Sequence, residues 1–497
     1  MPEFFMKSRR LRFAALLLLG LLNLNGCSSA RYWWTNNKMV GPNYSEPAAP
    51  VAEQFSEVAE KDSLVVEEAD QKDLRWWTVF DDPELNSMIE QLSGQNLSLQ
   101  TAYYRIQEAR HLRNIAAANL FPQSQTAKGI YNHRQNSRNS GGTFPGFPTT
   151  IDDWSTGFDA SWEIDLWGRI RRSIAAAEAQ VEVTQHDYDD VFVSIVGDAA
   201  ALFVQIRSLD ERIVLAGKNR KIQEGSLDIA EKRFNEGRTD KLDVYQAESN
   251  LNSTRALVPQ FELARQQSLN ALAVLLGVPP SEASTIMTPN GKIPQIPPQL
   301  VVGIPADLIL QRPDILAAER AMARQFEQIG IAEAEFYPTF SISGSLGWQA
   351  SKISNLLEAP SSTGVIAPGF RWNILNYGRL REGLFAEEAR FKQIQYEFEN
   401  RVLLAQREVE DGIIEFIKKN EQYQFDQATS QANDKSVELA LASYREGKSD
   451  FGRVFVVQSN SVLAQDKVVE TKVAIALALI KTYKALGGGW EINNASQ

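Results

Sequence analysis

The sequence predicts a mainly α chain with membrane β, built as an internal two-fold repeat. Each half holds a helix, a pair of membrane-spanning strands and a long helical hairpin. Three observations predict this: motifs that recur about 210 positions apart, apolar residues at period two over a membrane-crossing length, and helical periodicity sustained for about 65 residues.

The repeat is read from matched motifs. Trp162-Glu163-Ile164 leading to Gly168-Arg169-Ile170-Arg171 recurs as Trp372-Asn373-Ile374 leading to Gly378-Arg379-Leu380-Arg381. The same offset pairs Phe234-Asn235-Glu236-Gly237-Arg238-Thr239-Asp240 with Tyr444-Arg445-Glu446-Gly447-Lys448-Ser449-Asp450. Upstream, Leu120-Phe121-Pro122 answers to Phe336-Tyr337-Pro338 at a slightly larger offset, as unequal loops require.

Taken in order, residues 1–26 read as a secretory signal. Lys7, Arg9, Arg10 and Arg12 precede an apolar run at 13–22, too short for a transmembrane helix, and the run ends at Leu24-Asn25-Gly26-Cys27. Cys27, the only cysteine, stands at the expected cleavage point before Ser28 and Ser29 and resembles the lipid-attachment cysteine of a bacterial lipoprotein; Asn25 departs from the residue usual there. A lipidated Cys27 leaves no thiol for disulfides, metal sites or nucleophilic catalysis. The expected cofactor set is empty apart from that lipid. Residues 27–80 form an extended, lipid-anchored segment.

Repeat 1 is assigned to 81–278. Its first helix, 97–120, stops at Phe121-Pro122, and the matching helix of repeat 2, 314–336, stops at Tyr337-Pro338, because proline cannot continue a helix. Strand pairs follow at about 123–167 and 338–376. At 154–166, Trp154, Thr156, Phe158, Ala160, Trp162, Ile164 and Leu166 share one parity, while Ser155, Gly157, Asp159, Ser161, Glu163 and Asp165 share the other. In repeat 2, Phe340, Ile342, Leu346 and Trp348 alternate with serines, and Ile366, Phe370, Trp372 and Ile374 lie on one parity of the returning strand. The outgoing strand of repeat 1, near 126–134, is more polar. Loops carry turn chemistry at Ser140-Gly141-Gly142 with Pro145-Gly146, and at Pro360-Ser361-Ser362. A soluble sandwich with one wet face would alternate in the same way. The aromatic residues Trp154, Trp162, Trp348 and Trp372 near strand ends, together with the secretory signal, favour a membrane barrel.

After each strand pair the period changes. Ala199, Leu202, Ile206, Leu209, Ile213 and Ala216 step by three and four, as do Val402, Ala405, Val409, Ile413 and Phe416. Each helix turns at a Glu-Gly-basic triplet and returns, ending near 276 and 486. No segment after position 30 reads as an apolar run of helix-spanning length, so membrane crossing falls to the strands. Four strands cannot close a barrel, so several chains must share one. A Pro-rich connector at 279–312 joins the halves; repeat 2 covers 313–486 and a tail 487–497.

Other functions find no support. The net charge of −11 is interleaved along the chain, so no basic footprint for nucleic acid exists. His111, His133 and His186 are scattered without metal spacing, and no catalytic constellation or phosphate loop is present. A periplasmic coiled-coil spacer without a pore is the remaining structural reading.

Four further stretches, Val40-Gly41-Pro42-Asn43-Tyr44, the run from Trp76-Trp77 through Phe80-Asp81-Asp82-Pro83 to Leu85, Leu308-Ile309-Leu310-Gln311-Arg312-Pro313-Asp314, and Phe158-Asp159-Ala160-Ser161-Trp162, join the repeat motifs in resembling one family. The chain resembles the outer membrane efflux proteins, or outer membrane factors, of the TolC and OprM type, in the lipoprotein branch that serves resistance-nodulation-division pumps. That resemblance implies a homotrimer whose twelve-stranded β-barrel, four strands per chain, continues into a long periplasmic α-helical barrel. It implies a lipid-anchored location in the outer membrane of a Gram-negative bacterium, a periplasmic adaptor and an inner-membrane pump as partners, and efflux of drugs or other small toxic compounds. A type I secretion duct for proteins is the alternative within the same class. By resemblance the gate lies at the two hairpin turns. Asp243 matches an acidic tip position and Arg445 a basic one; Val456 stands where many relatives carry an Asp, so Asp240 or Asp450 is expected to supply charge, with Tyr444 and Arg453 beside them.

Overall fold

The computed structural model describes residues 33–52, 75–137, 149–297 and 306–488. The signal, Cys27, the loop at 140–146 and the tail beyond 488 lie outside these residues. The chain divides into two compact units, one of 33–47, 107–183 and 318–396, the other of 48–106, 184–317 and 397–488, each taken over its described residues.

In chain order the helices and strands are α1 (Pro83–Gln95), α2 (Leu97–Ala118), β1 (Ser124–Gln135), β2 (Thr150–Ile164), α3 (Arg169–Asn235), α4 (Lys241–Leu275), α5 (Pro313–Ala334), β3 (Thr339–Ala350), β4 (Ser362–Arg371), α6 (Arg379–Arg445) and α7 (Phe451–Ala485). The molecule is mainly helical, with one small antiparallel sheet ordered β1-β2-β3-β4.

In the first unit, the sheet register turns the sequence alternation into two faces. Phe158 lies opposite Leu346, Trp162 opposite Ile342, and Phe340 pairs both Ile164 and Phe370, all on one face. The other face carries Asp159 opposite Ser345, Ser161 opposite Ser343 and Glu163 opposite Ser341. Phe158, Leu346 and Phe370 are exposed, so the apolar face is left uncovered by the described residues. The polar β1 obeys the same rule: Tyr131 packs on Trp154 with centroids 4.2 Å apart, while Lys128 pairs with Asp159 at 2.6 Å on the polar face.

Strand limits differ from expectation at three points. Leu166 falls past the end of β2, and Trp372 and Ile374 past the end of β4, because the chain turns there: Leu166 N–H donates to the Ile164 carbonyl and Ile374 N–H to the Trp372 carbonyl. Trp372 is instead held by its indole, which donates to the Phe336 carbonyl at 2.8 Å, as Trp162 donates to the Leu120 carbonyl at 3.1 Å. Both carbonyls belong to the chain between a helix end and its proline, where no helical partner exists. Ser362, expected in a loop, already pairs with Trp348 as the first residue of β4; the turn before it is a 3₁₀ segment, Ala359–Ser361.

Residues 33–47 are strapped onto this unit by a buried cation and a partly buried phenol hydrogen bond. Arg172, only 1% exposed, donates to the carbonyls of Val40, Gly41 and Pro42 at 2.8 Å each and to Glu327 at 2.9 Å. Tyr44 donates to Glu319 at 2.7 Å, and burial together with that bond drives the phenol far above its usual range.

The second unit is helical, holding α1, α4, α7 and most of α3 and α6, while α2 and α5 divide between the two units. Asp82 caps α1, accepting from the backbone N–H of Glu84 at 2.9 Å, with Pro83 at the first helical position where its missing donor costs nothing. The expected helices 97–120 and 314–336 are found as α2 and α5, each ending two residues early. Both α3 and α6 run 67 residues, about 100 Å at 1.5 Å per residue, and both α4 and α7 run 35. Val402, Ala405, Val409, Ile413 and Phe416 are almost fully buried along α6, the stripe that the three-four spacing predicts. One segment departs from the sequence reading: α3 holds a stretch long and apolar enough to cross a membrane, of mean hydropathy 1.5. Two-thirds of that stretch is buried within the fold, so its apolar residues serve the helical core.

Candidate functional site: the paired hairpin turns

The two hairpins turn by the same chemistry. Helix α3 ends in Gly237 at φ 68°, with Arg238 N–H reaching back to the Arg233 carbonyl at 2.8 Å; α6 ends in Gly447 at φ 76°, with Lys448 N–H on the Ser443 carbonyl at 2.9 Å. Glycine is favoured at this left-handed position, and the six-to-one hydrogen bond satisfies a carbonyl the helix end leaves open. The return helices then start on aspartate caps. Asp240 accepts from Lys241 N–H at 2.7 Å, and Asp450 from Arg453 N–H at 3.0 Å. Their charge is therefore spent on helix N-termini, where a carboxylate offsets both the free N–H groups and the helix dipole.

One turn deeper, the hairpins join. The Tyr444 hydroxyl donates to Asp243 Oδ2 at 3.0 Å, and Thr239 Oγ1 donates to the same oxygen. Asp243 and Tyr444 are both buried. Arg233 donates to the Tyr444 carbonyl and lies 4.5 Å from the centre of its ring, while Phe451 meets the other side edge-on at 5.3 Å. Ala230, Ala247, Ala440 and Val454 close the cluster with small apolar contacts. Burial pushes the Tyr444 phenol up to about 12; the hydrogen bond from Thr239 works against this and that to Asp243 adds to it. The phenol therefore keeps its donor role at neutral pH.

Arg445 and Arg453 stand apart from this cluster. Both are exposed, and neither side chain has a partner among the described residues. Of the residues the sequence singled out, the fold thus brings Asp243 and Tyr444 together, uses Asp240 and Asp450 as caps, and leaves two cations facing outward; Cys27 is outside the described residues. Sequence reading missed Arg233 and Phe451. The signal available for Arg233 was a mismatch between the halves, since Ser443 occupies the corresponding position and offers no cation.

Below the cluster, a second polar layer crosses the hairpins. Asn250 donates to Gln458 at 2.9 Å and Gln458 to Ser226 at 2.8 Å, all three buried. Such fully paired layers fix helix register at some cost in packing. Among the described residues no cluster of His, Cys, Asp and Glu is arranged to hold a metal.

Residues 88–278 and 304–488 match the family described as outer membrane efflux protein. The chain is 28% identical over 434 residues to the pyoverdine export outer membrane protein OpmQ of Pseudomonas putida, covering 86% of this chain and 90% of that protein. It is 26% identical over 452 residues to the probable outer membrane lipoprotein SilC of Salmonella typhimurium, covering 91% and 95%. Among solved structures, the outer-membrane channel OprN superposes with a TM-score of 0.83 at 29% identity, over 91% of this chain and 99% of that one.

Proposed function

Because the chain belongs to the outer membrane efflux protein family, a family of transport proteins and not of enzymes, we propose that it is the outer-membrane channel of a tripartite efflux pump. In this reading it is a passive duct: an inner-membrane resistance-nodulation-division pump and a periplasmic adaptor deliver drugs or other small toxic compounds, which leave through it across the periplasm and outer membrane. The observation that carries the reading is the open sheet. Among the described residues β1 and β4 have no outer neighbour, and a free strand edge in lipid leaves each backbone group unsatisfied at a cost of several kcal/mol. Three chains side by side, each with four strands, close a twelve-stranded barrel with the aromatic face on lipid and the Ser-Asp-Glu face on the lumen. The hairpins growing from those strands then ring an α-helical tunnel, and their turns gather at its periplasmic end.

The gate belongs to those turns. Asp243 bound to Tyr444 holds the two hairpins of one chain together, while Arg445 and Arg453, whose side chains have no partner among the described residues, bind a neighbouring copy or the adaptor in this reading. A lipid on Cys27 anchors the chain in the inner leaflet; the lipoprotein description of SilC supports this assignment. The test is reconstitution of the purified protein in planar bilayers, with its mass measured in detergent. A trimer with a small, mostly closed conductance that opens in the double variant Asp243→Ala, Arg445→Ala is expected. A monomer, or no current from the double variant, overturns the reading. A deletion strain that becomes sensitive to several small toxic compounds identifies the cargo class.

A further inference from the structure

Residues 33–38 form a compact knob at the start of the strap. Residues 33–35 make one helical turn, closed by Lys38 N–H on the Trp33 carbonyl at 2.8 Å. Asn37 and Lys38 both hold positive φ, 49° and 60°, a conformation that costs a residue with a Cβ roughly 1–2 kcal/mol. The fold maintains it with a set of anchors. Arg171 donates to the Asn37 carbonyl and, at 3.0 Å, to that of Lys38; buried Asn36 donates to the Met39 carbonyl at 3.1 Å. Trp33 is tied to the end of the strand pair, its indole donating to the Leu166 carbonyl at 3.2 Å and its ring 5.6 Å from Trp167, which in turn stacks on Tyr337 at 4.7 Å.

The product of this effort is the position of Trp34. It is 67% exposed, with the Lys38 ammonium 5.0 Å above its ring. A large apolar ring held out beside a cation, on a strained and well-anchored turn, is the chemistry that binds the interface of a bilayer: indole at headgroup depth, ammonium on lipid phosphate. Its place agrees. The anchors Leu166 and Trp167 directly follow β2, whose apolar face is the lipid-facing surface of the proposed barrel. Cys27 also precedes Trp33 by six residues, a reach of at most about 20 Å when fully extended.

We infer that Trp34 and Lys38 form a second membrane anchor, which binds the anionic phospholipid surface of the inner leaflet independently of the lipid on Cys27. The inference rests on the outer-membrane reading above. Its effect is to fix the depth of the strand-to-helix junction, because the knob is tied to that junction by Arg171, Trp33 and Trp167, whereas a lipid on Cys27 supplies attachment.

The experiment uses the full chain with a single introduced cysteine at Trp34→Cys, Phe158→Cys or Lys448→Cys, each carrying an environment-sensitive fluorophore. Each is reconstituted in vesicles of phosphatidylethanolamine and phosphatidylglycerol with brominated or ordinary acyl chains; protein without an introduced cysteine reports labelling at Cys27. Labels at positions 34 and 158 are expected to lose most of their emission in brominated lipid, and the label at 448 to lose none. Quenching at 158 without quenching at 34 overturns this inference alone, and a blue-shifted but unquenched label at 34 does so by showing that protein covers the site. Loss of quenching at 158 overturns the outer-membrane reading itself. As a second measurement, Lys38→Glu is expected to weaken the quenching of the label at position 34 and to leave that at 158 unchanged, in the Cys27→Ser background as in the native one; undiminished quenching at 34 in Lys38→Glu overturns the inference.

Discussion

The Tyr444 hydroxyl donates to Asp243 Oδ2 at 3.0 Å, across the two helical hairpins of one chain and within a cluster shielded from water by Phe451, Val454 and three alanines. A hydrogen bond to a buried carboxylate is among the stronger single contacts in a protein, about 1.5–3 kcal/mol. It ties α6 to α4 where α6 enters its turn and α4 leaves its own, so neither hairpin can swing away without breaking it.

Removing that bond while keeping the ring is the cleanest test of its role. Tyr444→Phe retains the ring contacts with Arg233 and Phe451, and is expected to shift the closed-to-open ratio of the reconstituted channel toward open by roughly tenfold or more. Asp240→Asn is the matched control: Asn caps a helix as well as Asp, so single-channel recordings should show the conductance unchanged. The pH dependence has a defined sign. The native phenol value of about 12 exceeds its ordinary value of 10, so the contribution of Tyr444 is complete below pH 10 and is lost as the pH rises through about 12. Leak current should accordingly stay flat from pH 6 to 10 and climb above it.

Asp189 gives a second pH prediction, of opposite practical consequence. It is a buried residue of α3 whose carboxyl is raised from 3.8 to about 7 by burial. Because the native value lies above the unfolded one, this group favours folding while it is protonated; the contribution is complete below about pH 4 and is lost as the pH climbs through about 7. Asp189→Asn is therefore expected to raise the melting temperature at pH 8 and to leave it almost unchanged at pH 5, read by the loss of helical signal on heating.

How much of this was legible depends on how local the cause is. Periodicity placed both strand pairs and all four long helices because alternation at 154–166 and the three-four spacing at 402–416 are properties of single elements. The glycine turns were legible too, since Gly237 and Gly447 satisfy a backbone requirement that no neighbour can relieve. The charges at the turns were not. Asp240, Asp243 and Asp450 look alike in sequence, yet two cap their own helices and one binds a tyrosine about 200 positions away. Nothing local distinguishes them, because the partner of Asp243 is chosen by how the hairpins pack. The ends of β2 and β4 were misjudged for a similar reason: Trp372 continues the alternation but bonds the Phe336 carbonyl outside the sheet.

The turn glycines can be tested for backbone cost alone. A Cβ on Gly237 would meet nothing within 4 Å, and one on Gly447 only the Arg233 guanidinium at 3.6 Å, so substitution strains the backbone without a clash. Gly237→Ala and Gly447→Ala should each lower stability by roughly 1–2 kcal/mol, and Gly447→Asn by less, since Asn tolerates the left-handed region. Thermal unfolding of the three variants beside the wild type decides this.

The strap offers a prediction in which two different substitutions must converge. Arg172 is almost fully buried and its guanidinium satisfies three strap carbonyls and Glu327, so Arg172→Met takes the donor from the Val40 and Pro42 carbonyls, leaves that of Gly41 to Asn36 and leaves a carboxylate uncompensated, at a cost of about 3–5 kcal/mol. Gly330 lies directly beneath that side chain; a Cβ there would overlap Arg172 Cδ and Nε, displacing the guanidinium without removing its charge. Gly330→Ala is therefore expected to reproduce the phenotype of Arg172→Met in milder form: earlier thermal unfolding, and protease cleavage within 33–47 before any cut in the helical hairpins. If Gly330→Ala frees the strap as fully as Arg172→Met, the strap is held by the placement of the guanidinium and not by its charge alone, because Gly330→Ala leaves that charge in place.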